Sequence, residues 1–226
     1  MPVLFLGIAL LSCNNNNAQM NEQSVNLEDE SQKIGYALGV SIAGNLMEQK
    51  FDSIDVSALT RAIEESYGEG PTLMTLEDAS KTLNDYMQTL QEAEQAIHLD
   101  AGREFLASNK TKEDVVTLAS GLQYKVITEG SGPMPASSDK VTVHYHGTLI
   151  DGTVFDSSID RGQPASFPVT GVIAGWVEAL QLMKVGSKWQ LFIPTDLAYG
   201  ANPRPGGVIK PNMALIFDVE LLSIDQ

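Results

Sequence analysis

Cysteine is almost missing from this chain of 226 residues, which holds one, Cys13. A single thiol permits no intrachain disulfide, so the fold has to be stabilised by packing. Basic side chains are scarce as well, with 14 Lys plus Arg against 29 Asp plus Glu and a net charge of −15. Such a chain is repelled by phosphate backbones and lacks the polybasic patch that anionic lipid attracts, which excludes nucleic acid and lipid headgroups as general partners. No apolar run reaches membrane-spanning length; the one beginning at Val3 ends at Leu11. The usual catalytic signatures are absent too. There is no Gly-x-Ser-x-Gly, no P-loop, no Gly-x-Gly-x-x-Gly and no cysteine nucleophile beyond position 13. Histidine occurs only 3 times. His144 and His146 share one strand face at a spacing zinc could use, but no further ligand is spaced to join them. A polar outer face is the expectation, with no metal and no cofactor.

The leader carries one sign of processing. Leu10-Leu11-Ser12-Cys13 resembles a bacterial lipobox, in which the cysteine is lipidated and becomes the mature N-terminus. Residues 1–20 then comprise a lipoprotein signal and a polar tether, and the chain is expected in the bacterial cell envelope, facing the periplasm, held to a membrane only by its lipid. No Lys or Arg precedes the apolar run, so a basic n-region is expected upstream of Met1. A buried strand with a buried thiol is the bland alternative.

The acid is unevenly distributed. Residues 21–110 contain 6 basic and 17 acidic side chains, residues 111–226 contain 8 and 12. That asymmetry suggests two domains with separate tasks. In the first, Ile34, Leu38, Ile42 and Leu46 form an amphipathic stripe, and Val56, Leu59 and Ile63 a shorter one. Thr75-Leu76-Glu77-Asp78 reads as a helix start. From there Leu76, Ala79, Leu83, Tyr86, Leu90, Ala93 and Ile97 make a seam that can run on to Asn109, with His98 expected in solvent. A helix of about 35 residues is roughly 50 Å long, so much of it should stand out as a stalk. Helices of this number and size cannot enclose a core alone, and a second copy of the chain, a homodimer through residues 21–110, is the simplest remedy. A monomeric helical cap folded on the C-terminal half is the alternative.

After Asn109 the period becomes two. Residues 122–127, 141–145, 188–193 and 213–221 alternate as half-buried strands, separated by turns rich in Gly and Pro. One short helical run, 175–183, interrupts them. The fold class is therefore α+β, an all-helical arm with a long stalk followed by an antiparallel sheet wrapped on one short helix.

Five stretches of this half, in order, are Val143-His144-Tyr145-His146-Gly147, Asp151-Gly152-Thr153-Val154-Phe155-Asp156-Ser157-Ser158, Val172-Ile173-Ala174-Gly175-Trp176, Leu197-Ala198-Tyr199-Gly200 and Leu215-Ile216-Phe217-Asp218-Val219-Glu220-Leu221. Together they resemble the FKBP-type peptidyl-prolyl cis/trans isomerases over about residues 115–226. With Ile34-Gly35-Tyr36-Ala37-Leu38-Gly39, the helical half is similar to the dimerisation arm of the macrophage infectivity potentiator (Mip) subgroup. The resemblance implies an isomerase domain over 111–226 that twists X-Pro bonds in an apolar pocket and assists the folding of exported proteins. It also implies the lining. Trp176 would be the floor under the proline ring, and Phe155 and Phe217 walls. Tyr199 would offer its hydroxyl and Ile173 its backbone N–H to substrate carbonyls. Asp156, held by Tyr145, would approach the twisting carbonyl, and Phe167, Val172 and Ile209 would complete the substrate surface. Partners would be proline-containing unfolded or nascent polypeptides, with macrolide inhibitors as candidate ligands. The loop Ala201-Asn202-Pro203-Arg204-Pro205-Gly206-Gly207-Val208 departs from eukaryotic relatives, which carry a histidine there. A non-catalytic dimeric holdase using the same pocket is the alternative. Since the pocket residues all fall between Tyr145 and Phe217, residues 111–226 are expected to act on short peptides without the helical half.

Overall fold

Alternation of β-branched and aromatic residues with polar ones builds the central strands. In the computed structural model, which describes residues 24–225 apart from Asp52 and Glu69, seven strands form one antiparallel sheet. They are β1 (Val116–Thr117), β2 (Gln123–Thr128), β3 (Lys140–Leu149), β4 (Val154–Ser157), β5 (Ala165–Pro168), β6 (Lys188–Ile193) and β7 (Leu215–Asp225). The order is β1-β2-β6-β7-β3-β4, with β5 beside the first half of β3 and β4 beside its second half. Along β3 every second residue is buried, from Val141 to Leu149, so Val143, Tyr145 and Gly147 all point to one face. In β7 the inward set is Leu215, Phe217, Val219 and Leu221, and the register sets Gly147 opposite Phe217. The short helical run expected over 175–183 is the fourth helix in chain order.

Three helices precede the sheet: α1 (Glu30–Glu48), α2 (Val56–Tyr67) and α3 (Leu76–Asn109). Each starts on a side-chain cap: Asp29 accepts from the Gln32 N–H, Asp55 from Ala58 and Thr75 from Asp78. The fourth, α4 (Ala174–Leu180), lies across the inner sheet face, with Trp176, Ala179 and Leu180 in the core. Gly175 permits this contact, because a Cβ there would come to 2.6 Å from Ile193 Cγ2. The α+β architecture expected from the sequence is the one observed.

The chain divides between Met74 and Thr75 into two compact units. In the first, α1 and α2 contain no buried residue, although they flank an apolar cleft of about 340 Å³ lined by Ile42, Leu46, Phe51, Leu59 and Ile63. In the second, α3 belongs with the sheet. Phe105 meets Phe192 with ring centroids 6.0 Å apart, and Gly102 packs on Ala214. Gln123 of β2 donates to the Leu106 carbonyl (2.9 Å) and accepts from Asn109 (2.9 Å). His98, expected in solvent, is half-buried with Nδ1 3.1 Å from the Pro211 carbonyl oxygen. The face Ala101, Gly102 and Phe105 carries it onto the sheet domain, while Ile97 of the expected seam is exposed. The leader and Cys13 lie outside the described residues. No described helix is long and apolar enough to cross a membrane.

Candidate active site

The core on the inner face of β3 and β7 includes a group of aromatic residues that also line a cavity. Trp176, on the first turn of α4, stands edge-on to Tyr145 (5.5 Å, 81°), Phe217 (5.2 Å, 80°) and Phe167 (6.1 Å, 90°). Phe155 of β4 meets Phe217 in the same way (5.3 Å, 84°). Positive ring edges on negative ring faces favour this geometry and fix the rings against one another. Gly147 lets two of them approach, since a Cβ there would fall 2.7 Å from Phe155 and 2.8 Å from Phe217.

These rings surround a two-lobed cavity. One lobe, about 370 Å³, is lined by Tyr145, Asp156, Phe167, Val172, Ile173, Trp176, Tyr199 and Phe217. The other, about 380 Å³, is lined by Phe155, Asp156, Tyr199, Pro203, Arg204, Gly207, Val208, Ile209 and Phe217. Asp156, Tyr199 and Phe217 border both. The structure thus brings all ten pocket residues expected from the sequence to one cavity.

The polar groups are few and committed. Tyr145 donates to Asp156 Oδ2 (2.5 Å) and accepts from Arg161 Nη2 (2.7 Å), and Arg161 Nη1 donates to Asp156 Oδ1. Burial pushes the Asp156 carboxyl up, but the hydrogen bonds from Tyr145 and Arg161 and the guanidinium charge outweigh it and hold the group below its ordinary value. Burial first, then the hydrogen bond to Asp156, pushes the Tyr145 phenol above its ordinary value against Arg161. Burial and then the Asp156 charge do the same for Tyr199. Asp156 is therefore an anion and both tyrosines are neutral donors across neutral pH. The Ile173 N–H, at the N-terminus of α4, donates to no described residue.

Ser158 secures the site from behind. Fully buried, its Oγ accepts from the Tyr145 N–H (2.7 Å) and lies 3.1 Å from His144 Nδ1. His146 Nδ1 is 3.0 Å from Ser157 Oγ. Both histidines face serines, and no cluster of three or more metal-binding side chains occurs among the described residues.

A cavity walled by rings, with one neutralised carboxylate and free donors at its mouth, suits a small apolar ring flanked by carbonyls. The comparisons agree. A family model for FKBP-type peptidyl-prolyl cis-trans isomerases matches residues 132–222, and one for the domain amino terminal to them matches 31–126. The outer membrane protein MIP of Legionella longbeachae is 38% identical over 234 residues, covering 100% of this chain and 99% of that protein. The peptidyl-prolyl cis-trans isomerase Mip of Coxiella burnetii is 41% identical, with 88% and 89% covered. The crystal structure of FkpA from Escherichia coli superposes with a TM-score of 0.71 at 36% identity, over 88% of this chain and 98% of that one. The chain belongs to the FKBP-type peptidyl-prolyl cis-trans isomerases.

In this FKBP-type isomerase, sequence reasoning missed Arg161, which stands in the turn after β4. Its position five residues beyond Asp156 was the available signal, because a turn of that length returns a long cation to the carboxylate. Pro203, Arg204 and Val208, in the loop that departs from eukaryotic relatives, also line the cavity. The loop that bears them is tied at its base: the Asn212 N–H donates to the Gly200 carbonyl (2.9 Å), next to Tyr199, and Asn212 Nδ2 reaches the Gln95 carbonyl of α3 (3.5 Å).

Proposed function

We propose that this isomerase twists X-Pro bonds of unfolded polypeptides by seating the proline ring in the lobe floored by Trp176. The barrier to rotation, about 20 kcal/mol, comes from amide resonance, which places partial charge on oxygen and double-bond character in C–N. Water solvates that planar polar form well; a cavity of aromatic edges does not. As the bond twists the group loses polarity, so the cavity favours the twisted state over the planar one. Tyr199 and the Ile173 N–H hold the flanking carbonyls, and Asp156 faces the carbon that loses conjugation. An acceleration of about 10⁵-fold needs about 7 kcal/mol of such differential binding. No proton leaves or arrives. The observation that carries this is the edge-to-face cage of Trp176, Tyr145, Phe167 and Phe217, with its one carboxylate already neutralised by Arg161.

The test is isomerisation of a proline tetrapeptide with and without a macrolide such as rapamycin. Acceleration that the macrolide abolishes supports the mechanism. Binding of unfolded chains without acceleration would make the protein a holdase, a reading the intact set of pocket residues disfavours.

The same proposal covers the rest of the chain. Residues 21–110 join two copies, because α1 and α2 leave their apolar stripes uncovered, with Ile34 and Leu38 both more than half exposed. Cys13 carries a lipid that holds the enzyme in the cell envelope, where clients arrive unfolded. The name outer membrane protein, borne by the Legionella longbeachae relative, supports that location. Cys13→Ser should release the protein from the membrane fraction with peptide turnover intact; retention of the variant would remove the anchor.

A further inference from the structure

The second lobe of the cavity has a charge of its own. From Leu197 to Phe217 the chain contains no Asp or Glu, while it contains Arg204 and Lys210, in a protein whose net charge is −15. This segment covers the lobe lined by Phe155, Tyr199, Arg204 and Ile209. Lys210 turns its ammonium back on the loop, donating to the Gly207 carbonyl (3.2 Å). Arg204 is different: it is exposed, lines the lobe and forms no ion pair with any described residue. The carboxylate across the lobe, Asp156, is already taken by Arg161 and Tyr145. Pro203 and Pro205 flank Arg204 and fix their own φ angles, and the Gly207 N–H closes a turn on the Arg204 carbonyl (3.4 Å). The loop thus brings the cation to the lobe with no ion-pair partner among the described residues to neutralise it.

We infer that Arg204 makes this enzyme favour an acidic residue X before proline over an uncharged X of the same shape, and disfavour a basic one. The inference rests on the isomerase mechanism above. With the ring on Trp176, the twisting carbonyl, which belongs to X, lies at the border shared by the two lobes, by Asp156 and Tyr199. The side chain of X then extends into the second lobe, beneath Arg204. An acidic X meets the guanidinium there, while a basic X meets like charge.

The experiment compares Ala-Xaa-Pro-Phe peptides with Xaa Glu, Gln, Lys and Leu at pH 7.5, by solvent-jump relaxation without a coupling protease. Glu and Gln differ in charge and hardly in shape, so their ratio of kcat/KM isolates the electrostatic contribution. For an exposed pair that ratio should favour Glu by about 2- to 5-fold in low salt and shrink toward one at 1 M salt. Arg204→Gln should remove the preference, and Arg204→Glu should invert it so that Lys-Pro exceeds Gln-Pro. A wild-type ratio of one at low salt overturns the inference, as does a preference that survives Arg204→Gln or disappears instead with Lys210→Gln. Failure of the isomerase mechanism looks different: no peptide of the series, Leu-Pro included, would be accelerated.

Discussion

The two units of this chain use apolar residues in opposite ways. In the sheet unit, Val141, Val143, Val219 and Leu221 are completely buried, and strand alternation accounts for each. In the unit of α1 and α2, Ile34, Leu38 and Ile42 have equally regular helical spacing, yet they are 54%, 57% and 40% exposed. Pattern alone therefore does not close a core. Two helices of 19 and 12 residues offer too little surface to bury each other, whereas a seven-stranded sheet with a helix on each face can. The first unit leaves its apolar surface uncovered; the second buries most of it in a core and keeps an aromatic cage lining the cavity.

The largest expected effect concerns where the boundary between the two falls. Residues 75–226 should fold alone and turn over short peptides as the full chain does. Residues 111–226 should not be equivalent, because the cut removes Phe105 from Phe192 and both hydrogen-bond partners of the buried Gln123 amide. Loss of a packed phenylalanine alone costs about 3–5 kcal/mol. Urea midpoints of the two fragments measure this, and equal midpoints would return α3 to the association unit. Next in size is the effect of breaking association. Leu38→Glu places a charge on the exposed stripe of α1, and the protein should become monomeric by light scattering. Turnover of a tetrapeptide should be unchanged, since it fills one pocket. Refolding of a proline-limited protein should slow by on the order of 10²-fold, the avidity a long chain gains from two sites. Unchanged refolding by a monomer would make the helical unit a spacer.

Much of the sheet unit was legible because its chemistry is local. β3 announces itself by alternation, and α3 by its seam and the Thr75 cap. What lies between elements was harder to read. Tyr145 and Phe217 are separated by a long stretch of chain, and each aromatic by itself reads as ordinary core; only the resemblance of five stretches in order joined them. His98 was read as solvated because its ring is polar, yet His98, Ala101, Gly102, Phe105 and Asn109 form a second helical stripe. Its two polar ends, which bond to Pro211 and Gln123, disguise it. Arg161 was hidden for a similar reason, since turn residues carry no periodicity to interpret.

A smaller perturbation sharpens the contrast between core and cage. Gly147→Ala adds one methyl group where strand and cage meet, within 2.8 Å of both Phe155 and Phe217. Overpacking of this kind costs about 1–3 kcal/mol. Because the core further along the same face of β3 is closed and the cavity is open, the rings should yield into the cavity. We expect kcat/KM to fall about tenfold while the urea midpoint moves modestly. A large loss of stability with normal kcat/KM in the remaining folded protein would mean the core gives way first.

The smallest expected effect is that of pH. Asp156 is held below its ordinary value, so it remains an anion as pH falls from 8 to 6; Tyr145 and Tyr199 are held above theirs and remain protonated. Nothing that lines the cavity changes charge in this interval, and kcat/KM for a Leu-Pro peptide should be flat. The linkage has a definite sign. Because the folded state binds the Asp156 proton more weakly than the unfolded chain, its contribution to stability is complete above the unfolded value of about 3.9. It is lost only as pH falls through the lower folded value, when Tyr145 and Arg161 lose their acceptor. The other shifted carboxylates among the described residues, Asp29, Glu65, Asp114, Asp151 and Asp225, are also lowered, so stability should decline in acid as they and Asp156 take up protons. A bell-shaped profile centred between pH 6 and 8 would instead require a proton in flight during the twist, and the dry cage would no longer account for catalysis.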